Sequence, residues 1–365
     1  MVSVKLTRYL SIALVTGLVL AAPGAAGAKT TNRERAQLAA GFLAGEQCQG
    51  RDEPKHLRET CPGRRDRGAI KAFSPIGSTA DAVVSMVAAQ TGQRVVNRAL
   101  DYLKRKIDKV LSDPDAGLRG KVVMALVTAI RNPRRFAGTN LVKEITMLEQ
   151  PDGRYGADTE VFSQALLLLA LVAADKQPSG AAVQWLVDAQ CDDGGWQFDE
   201  PAGPGDDEHC KDLGNPDEDF NTSDSNTTSL AVQALAVLGA EPAVDPFPFF
   251  ESLRDDTKGG WGFTQQFALT DANSTALVIQ AYKADNQPIP SGGMDALRAL
   301  QYRLCKKNHA AFAFGYEDDG NGGLKRTGPD VGATISAIPA LLRLPLPIAE
   351  RDITRPALQC AVTVN

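Results

Sequence analysis

The sequence predicts an all-α fold, an α/α toroid of six helical hairpins with an inner and an outer ring of helices. Three observations carry this expectation. A capped, strongly apolar helix pattern recurs along the 365 residues. A helix charged on one face precedes each copy. Glycine-rich turns bearing an aromatic residue separate the two. Aromatic residues make up only 6% of the chain, while Ala, Leu and Val are plentiful, which favours helices packed through small side chains.

The chain opens on a pattern of export. Lys5 and Arg8 give a positive start, Ser11 to Ala22 is apolar, and Ala26-Gly27-Ala28 offers small residues for cleavage. We assign residues 1–28 to a secretory signal peptide and 29–365 to the toroid, with an acidic insertion at about 199–224. The apolar run is short for a span and is followed by Pro23-Gly24; no later segment is long and apolar enough to cross a bilayer. The expected location is extracellular. Net charge is −5, and the leader carries two of the cations, so a nucleic-acid partner is not expected.

Export gives the six cysteines a structural meaning. Nearest-neighbour pairing is the simplest connectivity: Cys48–Cys61, Cys191–Cys210 and Cys305–Cys360. The rival is a Cys/His metal site using His56, His209 or His309. Neither C-x-x-C nor H-x-x-x-H spacing is present to support it.

The outer helices are read at Arg33–Gln47, Arg94–Leu111, Asn140–Gln150, Gly180–Gln190, Pro246–Arg254 and Gly293–Cys305. Their charged faces, such as Arg98, Lys104, Arg105 and Asp108, belong in solvent. The inner helices begin near Ser78, Gly120, Asp158, Asp224, Asp271 and Asp330. The best pair of copies sets Asp224-Ser-Asn226-Thr-Thr on Asp271-Ala-Asn273-Ser-Thr. The connecting turns are Asp152–Gly156, Asp193–Trp196, Lys258–Phe263 and, more weakly, Phe312–Tyr316. Glycine permits the sharp turn, and the aromatic ring covers the open end of the hairpin. Inner helices apolar nearly all round suit a closed inner barrel better than an open solenoid with a concave groove.

Trp185-Leu186-x-x-x-Gln190-x-x-x-Gly194-x-Trp196 resembles the QW motif of squalene cyclases, and with it the terpenoid cyclase/prenyltransferase α-α toroid superfamily. Gly259-Gly260-Trp261 and Asp152-Gly153-Arg154-Tyr155 are similar to degenerate copies. The resemblance covers most of the mature chain and speaks for the fold, which hosts catalysts and binders alike.

The chemistries this resemblance implies fit poorly. The cyclase motif Asp-x-Asp-Asp-Thr-Ala falls on Ser223–Thr228, where Ser225 and Asn226 replace the key carboxylates. Neither supplies the proton, so Asp224, shifted by one position, is the remaining catalytic candidate. The zinc ligands of prenyltransferases are missing, since Asp188-Ala-Gln-Cys191 has the wrong spacing. Gly45-Glu46-Gln47-Cys48 permutes the thioester motif of complement domains. A second clamping domain, as in cobalamin carriers, has no room in the short Pro-rich tail after Leu344.

A binding role remains. Parallel inner helices would set Asp158, Asp224, Asn226, Asp271, Asn273 and Asp330 around one rim of an apolar pocket. Capping explains the aspartates equally well. Asp217-x-Asp219-x-Asn221 begins like a calcium loop but lacks its glycine and late glutamate, and a solvated acidic loop explains it better. Asp318–Gly323 reads as a plain turn. The glycosylation triplets at Asn221, Asn226 and Asn273 support nothing further. The expected protein is a secreted monomer without cofactor, binding a hydrophobic small molecule or an extracellular macromolecule. An enzyme of isoprenoid type is the alternative.

Overall fold

The computed structural model describes residues 30–61, 63–156, 160–199, 222–303 and 310–354. From Asn32 onward the chain forms one compact unit. Its six inner helices are α2 (Pro75–Ala88), α5 (Gly117–Thr128), α7 (Val161–Ala173), α9 (Ser225–Leu238), α11 (Ala272–Ala284) and α13 (Val331–Leu341). Each packs on the next, and α13 packs back on α2, so the ring closes. The outer set is α1 (Asn32–Gly45), α3 (Gln93–Arg105) continued by α4 (Ile107–Ser112), α6 (Leu141–Thr146), α8 (Gly180–Asp188), α10 (Phe247–Ser252) and α12 (Gly293–Leu300). This is the α/α toroid the sequence predicts. Among the described helices, none is long and apolar enough to cross a membrane.

The outer helices are shorter than their sequence patterns. The third and fifth keep only six residues each, and the second breaks at Lys106. The inner helices can afford no such loss, because ring neighbours bury them on several sides; α7 buries ten of its thirteen residues. Hydrophobic burial on this scale sets element length more firmly than intrinsic propensity does.

One bond repeats at the start of the inner helices. A side chain in the first turns accepts the backbone N–H of the preceding turn: Thr79 from Ile70, Gln164 from Tyr155, Thr228 from Trp196, Thr275 from Trp261 and Thr334 from Phe312. Each of these turns, four of them aromatic, is thereby fixed to its own inner helix. Consecutive repeats are tied by a second bond. Val161, Ser225 and Ala272 donate their N–H to the carbonyls of Phe198, Phe263 and Phe314, which precede the next inner helix. Successive inner helices therefore start at one rim.

Their far ends are equally regular. Gln90, Ile130, Asp175, Gly239, Asn286 and Arg343 all adopt positive φ just past an inner helix. The following residue bonds back five positions, as in Ala240 N–H to Leu235 and Gln287 N–H to Tyr282. This is the left-handed C-terminal cap, and only one of the six uses glycine.

The turn glycines hold hairpin to hairpin. Gly153 has φ +98°, and a Cβ there would lie 2.3 Å from the Ala181 carbonyl at the start of α8. Gln190 of the QW-like motif bridges in the same direction, donating to the Gly194 and Val244 carbonyls and accepting the Val244 N–H.

Cys48 and Cys61 form a disulfide. Cys191 is also disulfide-bonded. Its expected partner Cys210, and the pair Cys305 and Cys360, lie outside the described residues. Four short strands, unforeseen in the sequence reading, occupy the last turn region. Phe312–Ala313 pairs with Pro329–Asp330, and Tyr316–Asp318 pairs with Leu324–Arg326 around the Asp318–Gly323 turn. Asp319 accepts the N–H groups of Asn321 and Gly323 there.

Candidate functional site

The turn-binding side chains supply a common register for five inner helices, and Arg119 holds the matching position in α5. Two residues earlier stand Gly77, Gly117, Phe162, Asn226, Asn273 and Gly332. Two residues later stand Asp81, Lys121, Leu166, Leu230, Leu277 and Ser336. These levels share one helical face. Phe162, Asn226, Asn273, Asp81, Lys121, Leu277 and Ser336 are each partly exposed on helices that are otherwise buried there. They give the rim where the inner helices begin a partly exposed face, the mouth.

The mouth has a charged side and an apolar side. Lys121 Nζ lies 2.8 Å from Asp81 Oδ2 and 5.9 Å from the centre of the Phe162 ring. Phe162 in turn packs on Phe198, with ring centres 5.4 Å apart. Leu166, Leu230 and Leu277 belong to the same level. Asn273 Oδ1 is buried and makes no hydrogen bond among the described residues.

Below the mouth the lumen is filled. The next level holds Val84, Met124, Leu169, Gln233 and Gln280, all between 0% and 6% exposed, with Pro339 also buried. The chain beyond α13 then crosses the far end. Gln233 Oε1 accepts the Leu346 N–H at 2.8 Å, and Gln280 donates to the Leu344 carbonyl at 2.7 Å. Thr128 donates to the Ile348 carbonyl at 3.1 Å. Leu344, Leu346 and Ile348 pack against the core. Gln233 and Gln280 occupy the same position in neighbouring repeats, so one repeated side chain has been turned into the tail's anchor.

The aspartates predicted for the rim act as helix caps. Asp224 Oδ1 accepts the N–H groups of Asn226 and Thr227, both at 2.8 Å. Asp271 accepts from Ser274 and Asp330 from Ala333. Asp224 is 1% exposed and Asp271 6%, so neither faces the mouth. Burial pushes Asp224 up to about 7, against hydrogen bonds from Thr227 and Asn226. Burial likewise takes Asp271 to about 6, against bonds from Ser274 and Asn273. A general acid must come within hydrogen-bond reach of the atom it protonates, and Asp224 borders no open space.

Asp158 lies outside the described residues, and the cap position of α7 is Glu160. The eroded cap of α5 is supplied by Asp115, whose Oδ1 accepts from Gly117 at 2.8 Å. Ser163 Oγ stands 2.7 Å from that oxygen and 3.1 Å from Glu160 Oε2. One hydroxyl proton serves one of these carboxylates at a time. Burial, then the Asp115 charge, raises Glu160 above the ordinary carboxylate range.

Sequence reasoning missed the Asp81–Lys121 pair, Asp115 and Glu160. The available signal was a lone Asp and a lone Lys in otherwise apolar inner helices. Also missed was the apolar decoration of the rim. Phe73, Phe267, Leu269 and Phe314 are 79%, 50%, 53% and 42% exposed. Phe73 immediately precedes the α2 cap, Leu269 lies two residues before Asp271, and Phe314 accepts the first N–H of α11. They form an arc over α11, α13 and α2. The acidic candidates Asp217, Asp219 and Asn221 lie outside the described residues. Among the described residues no cluster of three metal-binding side chains occurs.

Ring closure, with an inner and an outer set of helices, defines an α/α toroid. Neither a family model nor a curated protein sequence matches the chain. Solved structures do match. Type II terpene cyclase MstE from Scytonema, in complex with merosterolic acid A, aligns with a TM-score of 0.52 at 13% identity, over 86% of this chain and 96% of that one. Unsaturated glucuronyl hydrolase from Bacillus sp. GL1 aligns with a TM-score of 0.53 at 12% identity, over 86% and 96%. At such identities the likeness establishes the fold alone.

Proposed function

We propose that this chain is a secreted binding protein that engages an extracellular macromolecule through the rim where its inner helices begin. The observation that carries this reading is a filled lumen beneath a mouth bordered by exposed aromatic side chains. MstE has been solved with geranylgeranyl dihydroxybenzoate as substrate. Here Leu169, Gln233 and Gln280 are buried below the rim, and the tail stands beneath them. An arc of exposed apolar side chains marks an interaction surface. The leader-like start and the Cys48–Cys61 disulfide support export.

The contacts offered are mixed. Phe73, Phe267, Leu269 and Phe314 give apolar area, while Asp81, Lys121, Asn226 and Asn273 give polar anchors. Native mass spectrometry of protein mixed with geranylgeraniol or squalene tests the reading. The expected spectrum shows the free chain and no product. A one-to-one complex with turnover would establish the isoprenoid enzyme instead.

A further inference from the structure

A second concavity lies at the opposite end of the toroid, on its outer surface. It occupies about 440 Å³ between the C-terminal ends of α9 and α11 and the start of α10. That volume is within the range of small-molecule sites. Phe247 and Tyr282 border it, with ring centres 4.8 Å apart. Leu235 and Val232 add apolar wall. Its ionisable border consists of Glu241, Asp245 and Asp285, and no basic side chain lines it. Tyr282 also donates its hydroxyl to Glu251 at 2.8 Å. The nearby cation Arg254 is engaged elsewhere, pairing with Glu251 and lying 5.5 Å from the Trp261 ring.

We infer that this groove binds a small organic cation, an ammonium or guanidinium head carried on an apolar body. Aromatic faces attract such a cation through their quadrupole. Three carboxylates around the same space add a field of one sign, and the low-dielectric wall focuses it. Glu241, Asp245 and Asp285 are exposed, so their charges cost little in the empty state. Asp245 also accepts the Phe247 N–H, which holds an acid and an aromatic in fixed relation. The modest volume favours a free small molecule over a peptide segment. This site is independent of the rim.

The test is a calorimetric titration of the full mature chain with benzyltrimethylammonium chloride, with benzenesulfonate as an anion of similar size. The cation is expected to bind one-to-one and more weakly as salt rises, while the anion does not bind. The double variant Glu241→Gln, Asp285→Asn is expected to weaken cation binding about tenfold, or 1.4 kcal/mol, with an unchanged melting temperature. Phe247→Leu gives a second reading that keeps all charges and should weaken binding as well. Absence of cation binding, equal binding of the anion, or unchanged affinity in the double variant overturns the inference. So does binding of an arginine-containing peptide in place of the free cation.

Discussion

Gln301 and Arg35, 266 positions apart in sequence, meet in one hydrogen-bonded unit. Arg35 Nη1 donates to Gln301 Oε1 at 2.9 Å, and Gln301 Nε2 donates back to the Arg35 carbonyl at 3.2 Å. Gln301 follows the last outer helix and Arg35 sits in the first. The same kind of residue joins adjacent hairpins elsewhere, Gln47 reaching Val95 and Gln190 reaching Val244. The Gln301 contact is therefore the ordinary joint between neighbours, used once more to close the circle. Replacing Gln301 with Ala strands a buried carbonyl and the guanidinium partner, at a cost of about 1–3 kcal/mol. Urea denaturation should show that loss. A double-mutant cycle with Arg35→Ala should show positive coupling, and strict additivity would deny the joint.

The buried cap aspartates give a pH dependence of definite sign. Asp224 stands near 7 and Asp271 near 6 when folded, above their ordinary value of 3.8. Between about pH 4 and 7 the folded chain holds these protons more tightly than the unfolded chain does. Their contribution to stability is thus complete at low pH and lost as pH rises through that window. Asp224→Asn keeps a good cap and removes the buried charge, so it should flatten this slope and leave stability at pH 8 equal or higher. Asp224→Ala also flattens the slope and in addition loses the cap, worth about 1 kcal/mol, so its cost is largest at low pH and shrinks as pH rises. A steeper slope in the Asn variant would contradict the assignment.

Gly153 tests the hairpin-to-hairpin contact. Its positive φ and the Ala181 carbonyl at 2.3 Å from any Cβ leave alanine no room. Gly153→Ala should cost about 1–3 kcal/mol from strain, plus the displacement of α8. Gly138, at φ +83°, has nothing within 4 Å of a Cβ and serves as control, since its alanine variant bears the strain alone. Equal melting temperatures for the two variants would remove the argument.

Much of this fold was legible because two periodic signals coincide. Apolar runs mark the inner helices, and Asp-x-Asn caps mark where α9 and α11 begin. The left-handed C-terminal caps were not legible, because backbone hydrogen bonds select them and Gln90, Ile130 and Asp175 carry no sequence mark of it. Glu160 was obscured by Asp158 two residues earlier, an equally good cap by type. Nothing local marks Asp81 and Lys121 as a pair, which the packing of the neighbouring inner helices α2 and α5 creates. The tail read as a Pro-rich remnant, since nothing local reveals that Gln233 and Gln280 wait for Leu346 and Leu344.

That tail supplies a further prediction. Ending the chain after Arg343 removes the Leu346 partner of Gln233 and the Leu344 partner of Gln280 and uncovers the far end of the lumen. Hydrogen exchange should speed up in the last turns of α9 and α11 while their first turns stay protected. Uniform exchange along both helices would mean the tail closes nothing.

The rim surface itself is tested most directly by site-specific photo-crosslinking. A photoreactive phenylalanine would replace Phe267 or Phe314 on the rim, or Val237 at the far end, which is 43% exposed. Each protein would be irradiated with the cell-surface fraction of the producing organism. The binding account predicts one shared adduct from positions 267 and 314, competed by unlabelled protein, and none from position 237. Equal labelling at all three positions, or labelling at 237 alone, would contradict it.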